Sequence, residues 1–570
     1  MEKGTLVEFK VQGTPRLGVA DRPEGKKNWV IIDANGQSHT IHPRQITYQV
    51  KGSQYQPTDI AQFLAEAEDY IDPDNLELAW EFLQEAGESA DPASLALLLF
   101  SEQTPSLCYA AHHLLSNDKI YFKQKGDRYE PRAASQVEEI LHQISREAER
   151  QREWEGFLSR ARQALNRESL EWQKSDRPRI EILERYALSG EDSSQRAAAH
   201  EILNALSRKP SAEEAFDVLV ELGLWDPHEN LELRRRQIPT HFSDEVIPMA
   251  QQCLLNPPPD RDTERLDLTH LKVYTIDDES TREIDDGLSL ETLEGGRQRV
   301  WIHIADPTRW LLPGDALDLE ARRRSTTVYL PTGIIPMFPE ELATGPMSLV
   351  QGQECCALSF GVILDATGGI DEYLIRPSVI KPTYRLTYAD VDEMLELALQ
   401  AEPELSAIAT WAKQRRTWRL EQGAIKINMP ESTIKVTDDT IIIDVLDDSS
   451  SRQLVAEMMI LAGEVAARYG DENSLAIPFR SQPQPELPPD EELMRLPTGW
   501  VRDSAIRRCM PRSEMGVTPA RHATLGLESY TQVTSPIRRY TDLLAHFQLK
   551  AHLRGDSPPF SPHEMAELTQ

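Results

Sequence analysis

The sequence predicts a multidomain α+β fold: a small N-terminal β-barrel, an α-helical middle region holding a winged helix, and a large mixed α+β domain. Three observations carry this. The first fifty residues alternate apolar and polar positions in short runs broken by turn signals. Residues 51–255 switch to helical spacing. From about residue 270, strand-like runs and amphipathic helices are interspersed. We set the boundaries at 1–50, 51–135, 136–255 and 256–570.

In the first segment five runs read as strands: LVEFKV, RLGVA, WVIID, HTIHP and ITYQV. Gln12-Gly13, Pro23-Glu24-Gly25 and Asn35-Gly36 separate them, and Asn-Gly between two such runs is a hairpin signal. Five short strands in so few residues make a small, SH3-like barrel. Residues 51–100 hold eleven acidic residues and one basic, with IAQFLAEAEDYI and LELAWEFLQEA at helical spacing. Asp91-Pro92 caps DPASLALLLFS, PSLCYAAHHLLSN follows, and KIYFKQKGDRYEP forms two strand-like runs around Lys125-Gly126-Asp127. Helix, helix, hairpin is the pattern of a winged helix, although these helices are poor in the Lys and Arg that grip a nucleic-acid groove.

Residues 134–165 interleave Glu and Arg at i,i+4 distances, the pattern of a solvated strut. More helices run to about residue 235. Three consecutive prolines in QQCLLNPPPDRDTERLDLT mark a linker and a boundary near 250–265. In the last domain strands are expected at LKVYTI, GLSLETL, RVWIHIA, CALSFGVILD and TIIIDVL. Helices are expected at ADVDEMLELALQ, LSAIATWAKQRRTWRL, SRQLVAEMMILAGEVAARYG and RRYTDLLAHFQLKAHL.

Composition narrows the function. The chain has 570 residues, 61 basic against 93 acidic, and a net charge of −32. Bulk charge therefore does not hold it to nucleic acid or to an anionic membrane; any RNA contact needs a local basic lining or metal ions. No run of about 18 apolar residues occurs, so no membrane contact is expected. The N-terminal residues lack the pattern of a secretory signal. Five cysteines without metal-ligand spacing argue for a reducing cytoplasm. The absence of a G-x-x-x-x-G-K-[ST] loop argues against NTP as a partner. No G-x-S-x-G elbow is present either, which removes a serine hydrolase.

The segment that carries chemistry is VYTIDDESTREIDDGLSLE, residues 273–291. A strand feeds a loop with six carboxylates in ten residues (Asp277, Asp278, Glu279, Glu283, Asp285 and Asp286) against Arg282 alone. Like charges so close either stay solvated or hold a hard divalent ion. Mg²⁺ prefers a few carboxylates plus water and phosphate oxygens. A pair of such ions is a standard device for phosphodiester hydrolysis. An EF-hand loop fails, because the sixth position from Asp277 is Arg282 where the turn needs Gly. A second motif, ESYTQVTSPIRRYTDLLAHFQL at 528–549, places Arg538 and Arg539 at the start of a helix. Residues 501–550 contain eight Lys/Arg and four Asp/Glu, a basic island suited to a phosphate. A helix N-terminal salt bridge to Asp542 is the competing use of these arginines. Arg322-Arg323-Arg324 beside Tyr329 reads equally as part of an RNA path or as a solvated helix end. His303, alternating on a strand, reads as a core histidine.

Together the two motifs resemble the catalytic domain of the ribonuclease II/R family, the RNB domain, from about Leu266 to Gly555. HIADPTRWLLPGDALDLEARRRSTTVYLPTGIIPMFP, AEMMILAGEVAARYG and IPFRSQP belong to the same resemblance. It implies processive 3′-to-5′ hydrolysis of single-stranded RNA to nucleoside 5′-monophosphates with Mg²⁺, or Mn²⁺ in its place. Carried over, Asp277, Glu283, Asp285 and Asp286 hold metal, with Asp285, Asp286 and Arg538 catalytic. Tyr388 would set the final product size. Tyr329, Ile427, Arg538 and Arg539 would contact RNA.

Several positions depart from the family pattern. Glu283 stands where Asp is usual, and its extra methylene moves the carboxylate by about 1.5 Å, enough to bear on rate and on the choice of ion. Ile427 replaces an aromatic that stacks the terminal base, which should loosen the 3′ grip. Gly463 and Gln482 stand where Asn and His are frequent. The flanks resemble the cyanobacterial and organellar branch. The resemblance implies that a C-terminal OB-type barrel is absent from a chain stopping at Gln570, which leaves open whether the catalytic domain's own end is cut. A rival reading is an RNA-binding or regulatory protein on the same fold with impaired catalysis. A DNA-directed phosphodiesterase is a third.

Overall fold

The computed structural model describes residues 1–569 apart from 12, 26, 53, 398–401, 428, 430, 438, 439 and 447. The chain divides into two compact units, Met1–Leu231 and Glu232–Gln570.

The first unit opens with five antiparallel strands in the order Ser38–Ile41, Asn28–Asp33, Thr14–Glu24, Leu6–Val11, Ile46–Gln49. Alternation places Val7, Phe9, Ala20 and Ile31 in one core, and Leu6, Leu17 and Val19 against the helical residues Ile60, Phe63 and Tyr109. Gly18 is required where strands approach closely: a Cβ there would lie 2.5 Å from Ile31 Cγ2. The buried Glu8 carboxylate accepts hydrogen bonds from Thr47, Tyr109 and His112 at 2.5, 2.9 and 3.1 Å. Burial alone would raise its pKa, but these partners hold it down to about 2.

Four helices follow, Ile60–Glu68, Asn75–Ala86, Pro92–Phe100 and Pro105–Asn117, then a hairpin of Phe122–Lys125 and Arg128–Pro131. Asp91 caps the third helix by accepting from the Ser94 amide at 2.7 Å. The expected solvated strut is only half right. Helix Ala134–Leu165 is exposed through its middle turns, but Val137 is buried in its first turn, and Phe157, Leu158, Ala161 and Ala164 are buried with Leu183, Tyr186, Leu203 and Leu219 of the following helices. Its charge pattern hid an apolar stripe over the last three turns. The boundary also differs. Helix Val246–Leu255, placed by sequence in the helical region, gives Val246, Ala250 and Cys253 to the core of the second unit.

The second unit is built on a seven-stranded mixed sheet. Its order is Pro382–Thr387, Val273–Asp277, Asp286–Thr292, Gln298–Ala305, Cys355–Leu364, Ile370–Ile380, Leu266–Asp267. Both outermost pairings are parallel and the inner four antiparallel. Helices Pro403–Glu421 and Ser450–Glu472 cover one face; Val246–Leu255 and Ala316–Arg324 cover the other. Helix Tyr540–Arg554 contributes to both cores, and its residues 542–551 are buried all round.

His303 is a buried core histidine. It bonds Ser289 Oγ at 2.8 Å and Ser359 Oγ at 2.7 Å, and Ser359 bonds Ser378 Oγ at 2.6 Å. This polar chain crosses four strands and pins their register. Burial drives the His303 pKa down to about 3 from an ordinary 6.5. The unfolded chain therefore binds the extra proton first as pH falls, and stability is lost from about pH 6.5 toward 3. Chemical denaturation across that range should show the wild type losing its margin over His303→Gln as pH falls; parallel curves would contradict it.

Candidate active site

The sheet brings the acidic loop to the ends of its central strands. Val273–Asp277 delivers Asp277, and the next strand starts at Asp286. Asp286 pairs with Ile304, and the Ala305 amide donates to the Asp285 carbonyl at 2.7 Å. On the other flank Thr387 pairs with Asp277 and caps the helix that begins with Tyr388. Tyr388 thereby stands beside the acidic loop.

Across the site, residues 535–540 form a turn before helix Tyr540–Arg554. The Arg538 carbonyl accepts from the Thr327 amide at 3.0 Å and the Thr326 hydroxyl at 2.9 Å, and the Tyr540 amide donates to the Ser325 carbonyl at 2.9 Å. The Tyr540 hydroxyl donates to Asp318 at 3.0 Å. Thus fastened, Arg538 Nε donates to Asp285 Oδ2 at 3.0 Å, and the Ile537 amide donates to Asp285 Oδ1 at 3.1 Å. The two stretches of the sequence meet at this contact. The arginines divide their roles. Arg539 takes the competing helix-terminal bridge, donating to Asp542 at 2.7 Å, while Arg538 turns to the carboxylates.

Electrostatically the site is short of positive charge. Burial, then the Asp285 charge, pushes both Asp277 and Glu283 up to about 7, with Arg538 opposing. Burial raises Asp285 against the pull of Arg538. Asp286 is raised well above the carboxylate range by burial and by Asp277 and Asp285. Oδ2 of Asp277 is buried without a hydrogen-bond partner. Arg538 is held above its ordinary value: burial opposes its charge, but Asp285 outweighs that.

Among the described residues no three His, Cys, Asp or Glu side chains converge as a ready-made metal cage. Both Asp285 oxygens are engaged by residues 537 and 538. The donor set instead fits a hard cation that takes few carboxylates and completes its shell with water and phosphate oxygens. Asp277 and Asp286 repel one another, and one of their oxygens is unsatisfied.

The Tyr388 phenol is shifted up, first by burial and then by Asp286 and Asp277. Its ring is covered by the Arg452 guanidinium 4.1 Å from the centroid, and Arg452 also pairs with Asp278 at 2.8 Å. Tyr329 sits on the hairpin Val328–Leu330 and Gly333–Ile335. Although 57 % of the residue is exposed, its hydroxyl is raised by desolvation and feels Arg538, Glu283, Asp285 and Asp277. Ile427 lies half-buried two residues past Ile425, whose amide donates to the Thr524 carbonyl at 3.0 Å. The run 322–324 resolves as a helix end: Arg323 and Arg324 both grip Glu320, and Arg324 lies 3.8 Å over the Phe242 ring.

Arg452 escaped the sequence reading because a lone arginine on a long helix carries no local signal. Gly463 has a steric reason: a Cβ there would fall 2.3 Å from Tyr530 Cε2 and 2.5 Å from the Thr531 carbonyl oxygen. Gln482 is a clamp, donating to the Pro511 carbonyl at 2.8 Å while its own Oε1 accepts from the Thr524 hydroxyl.

A mixed sheet that gathers carboxylates at its strand ends opposite an arginine turn is the frame of an RNB domain. The RNB domain model matches residues 265–555. A CSD-like barrel domain matches 1–60, a ribonuclease II winged helix domain 62–136, and a double HTH domain 137–231. The chain is 58 % identical over 569 residues to an uncharacterized ribonuclease of Synechocystis sp., covering 100 % of this chain and 85 % of that one. It is 42 % identical over 591 residues to the chloroplastic/mitochondrial ribonuclease II of Arabidopsis thaliana, covering 99 % and 73 %. The chain belongs to the RNB-domain family of ribonucleases, with the accessory domains of the ribonuclease II type. Solved structures agree on the fold. Dss1 exoribonuclease from Candida glabrata superimposes with a TM-score of 0.60 at 18 % identity, over 100 % of this chain and 87 % of that one. Mycoplasma genitalium RNase R with single-stranded RNA gives 0.53 at 24 %, over 59 % of this chain and 58 % of its own.

The raised pKa values make a stability prediction. A carboxyl shifted from 3.8 to about 7 binds its proton more tightly when folded. Its contribution is full below pH 3.8 and is lost as pH rises through about 7. Metal-free protein at about pH 8 should therefore melt lower than Asp277→Asn, and added Mg²⁺ or Mn²⁺ should raise the wild-type Tm while leaving the variant unmoved. A variant that melts lower than wild type and still responds to the ion would refute the assignment.

Proposed function

We propose that the protein is a processive 3′-to-5′ exoribonuclease that hydrolyses single-stranded RNA to nucleoside 5′-monophosphates. The observation that carries this reading is the Asp285–Arg538 contact beside the carboxylates of Asp277, Glu283 and Asp286. Asp277 and Asp286 are the first candidates to hold a divalent ion, with Glu283 at its side. Bound there, Mg²⁺ or Mn²⁺ supplies charge neutralisation and polarisation of the scissile phosphate.

The protein's own groups do the rest. Asp285 spends its oxygens on Ile537 and Arg538, so its role is to aim the guanidinium. Arg538 keeps 41 % of its side chain exposed and has further N–H donors for a phosphate oxygen in which charge develops. Tyr388 stacks or blocks at the last nucleotide, held from behind by Arg452. Tyr329 contacts RNA across the site, and Ile427 offers the terminal base an aliphatic surface. Arg539 supports the turn through Asp542. No helix among the described residues is long and apolar enough to cross a membrane. The free thiols of all five cysteines suit a reducing compartment, the cytoplasm or an organelle matrix.

An RNA with an unstructured 3′ tail and a label at either end tests the reading. A 3′ label should appear as mononucleotide from the first time point, and a 5′ label as a short limit product. Asp286→Asn and Arg538→Ala should each lower kcat by about 10²-fold or more with little change in KM. Tyr388→Ala should lengthen the limit product. RNA that is bound tightly but never shortened would establish the binding-protein reading instead, and equal cleavage of DNA a less selective phosphodiesterase.

A further inference from the structure

We propose that Trp500 and the arginines 507, 508 and 512 form a second RNA contact, gripping the strand on the 5′ side of the reacting nucleotides. The inference rests on the exoribonuclease reading and extends its substrate path.

Helix Trp500–Arg508 ends in Arg507 and Arg508, and Arg512 follows four residues on. All three are exposed, and none has a side-chain hydrogen bond or ion pair among the described residues. Most guanidiniums in the second unit are otherwise spent: Arg265, Arg323, Arg324, Arg415, Arg419, Arg538 and Arg554 all hold carboxylates. In a chain of net charge −32, three unpaired cations within six residues are a local exception. Trp500 is 67 % exposed, and Arg507 and Arg508 stand two turns along on its face of the helix. An exposed aromatic beside free guanidiniums is the combination that takes a base by stacking and its phosphates by charge.

Hydrogen bonds tie this patch to the active site. Pro511 and Ser513 flank Arg512. Gln482 donates to the Pro511 carbonyl and accepts from Thr524, which in turn receives the Ile425 amide, two residues before Ile427. Arg480 donates to the Ser513 hydroxyl at 2.9 Å, and its amide donates to the carbonyl of Tyr530, the ring that lies over Gly463. In the proposed path a strand whose 3′ end lies at Ile427 and Arg538 runs along this hydrogen-bonded segment to the free arginines. An acidic protein segment is the other partner such a patch would take. Continuity with the Ile427 segment favours the RNA.

The full chain tests this with two unstructured RNAs, of about 30 and about five nucleotides. For the triple variant R507A/R508A/R512A, Kd and KM on the longer strand should rise roughly tenfold or more at about 150 mM salt, and the slope of log Kd against log salt should shrink by about 2. On the short strand kcat and KM should stay within about twofold of wild type. The triple lysine variant should keep the salt slope, which separates charge from folding. Trp500→Ala should weaken the longer strand by roughly tenfold with the slope unchanged. Wild-type behaviour of the alanine triple on the longer strand, the result expected of a docking site for acidic protein, would overturn the inference. Equal losses on both strands would do the same. If wild type binds the longer RNA without shortening it, the exoribonuclease reading fails while the Kd and slope still decide this one.

Discussion

The structure turns on a charge imbalance held in place by one guanidinium. Asp277, Glu283, Asp285 and Asp286 are drawn out of water together, and among the described residues Arg538 is the cation that donates a hydrogen bond into the group, beside the Ile537 amide on the same Asp285 carboxylate. Desolvated like charges cost several kcal/mol unless the surroundings fix them in place or a cation joins them. Nothing local to the loop could fix them. The compensation comes from a turn some 250 residues away, and the fold of the second unit can be understood as the means of bringing that turn into position.

Three fastenings do this. The Arg538 carbonyl is bonded to Thr326 and Thr327, so the backbone and not a flexible side chain sets where the guanidinium begins. Lys550, three turns along the same helix, is buried against Asp306 and Asp262 at 2.5 and 2.8 Å. Asp306 directly follows Ala305, whose amide holds the Asp285 carbonyl. The helix is thereby locked to the strand end that supports the acidic loop. Behind them the Ser289–His303–Ser359–Ser378 chain prevents the strands from slipping.

Much of this was legible in the sequence, and for stated reasons. The clustering of six carboxylates around Arg282 is a local pattern, as is the Ser-Pro-Ile-Arg-Arg turn before an apolar helix, and both stand where they were expected. The division between Arg538 and Arg539 was not legible, because both a phosphate grip and a bridge to Asp542 fit adjacent arginines; Arg539 takes the bridge, and Arg538 turns to Asp285. Arg452 was invisible because its meaning depends on Tyr388, more than sixty residues distant. Gly463 gave no sign of its cause until Tyr530 was seen lying against it. The helix at 134–165 misled because its exposed charges outnumber the few apolar positions in its last turns. For Arg452 and Gly463 the failure lies with contacts that are remote in sequence.

The Thr326–Thr327 fastening has one more consequence. Residues 325–327 lead directly into the strand that carries Tyr329, so the aromatic and the arginine sit on opposite sides of the same short backbone seam. Neither backbone segment can move away without breaking the seam and dragging its counterpart along. The two side chains keep their rotamer freedom, but the points from which they reach the centre should shift together, as the two jaws of one hinge do.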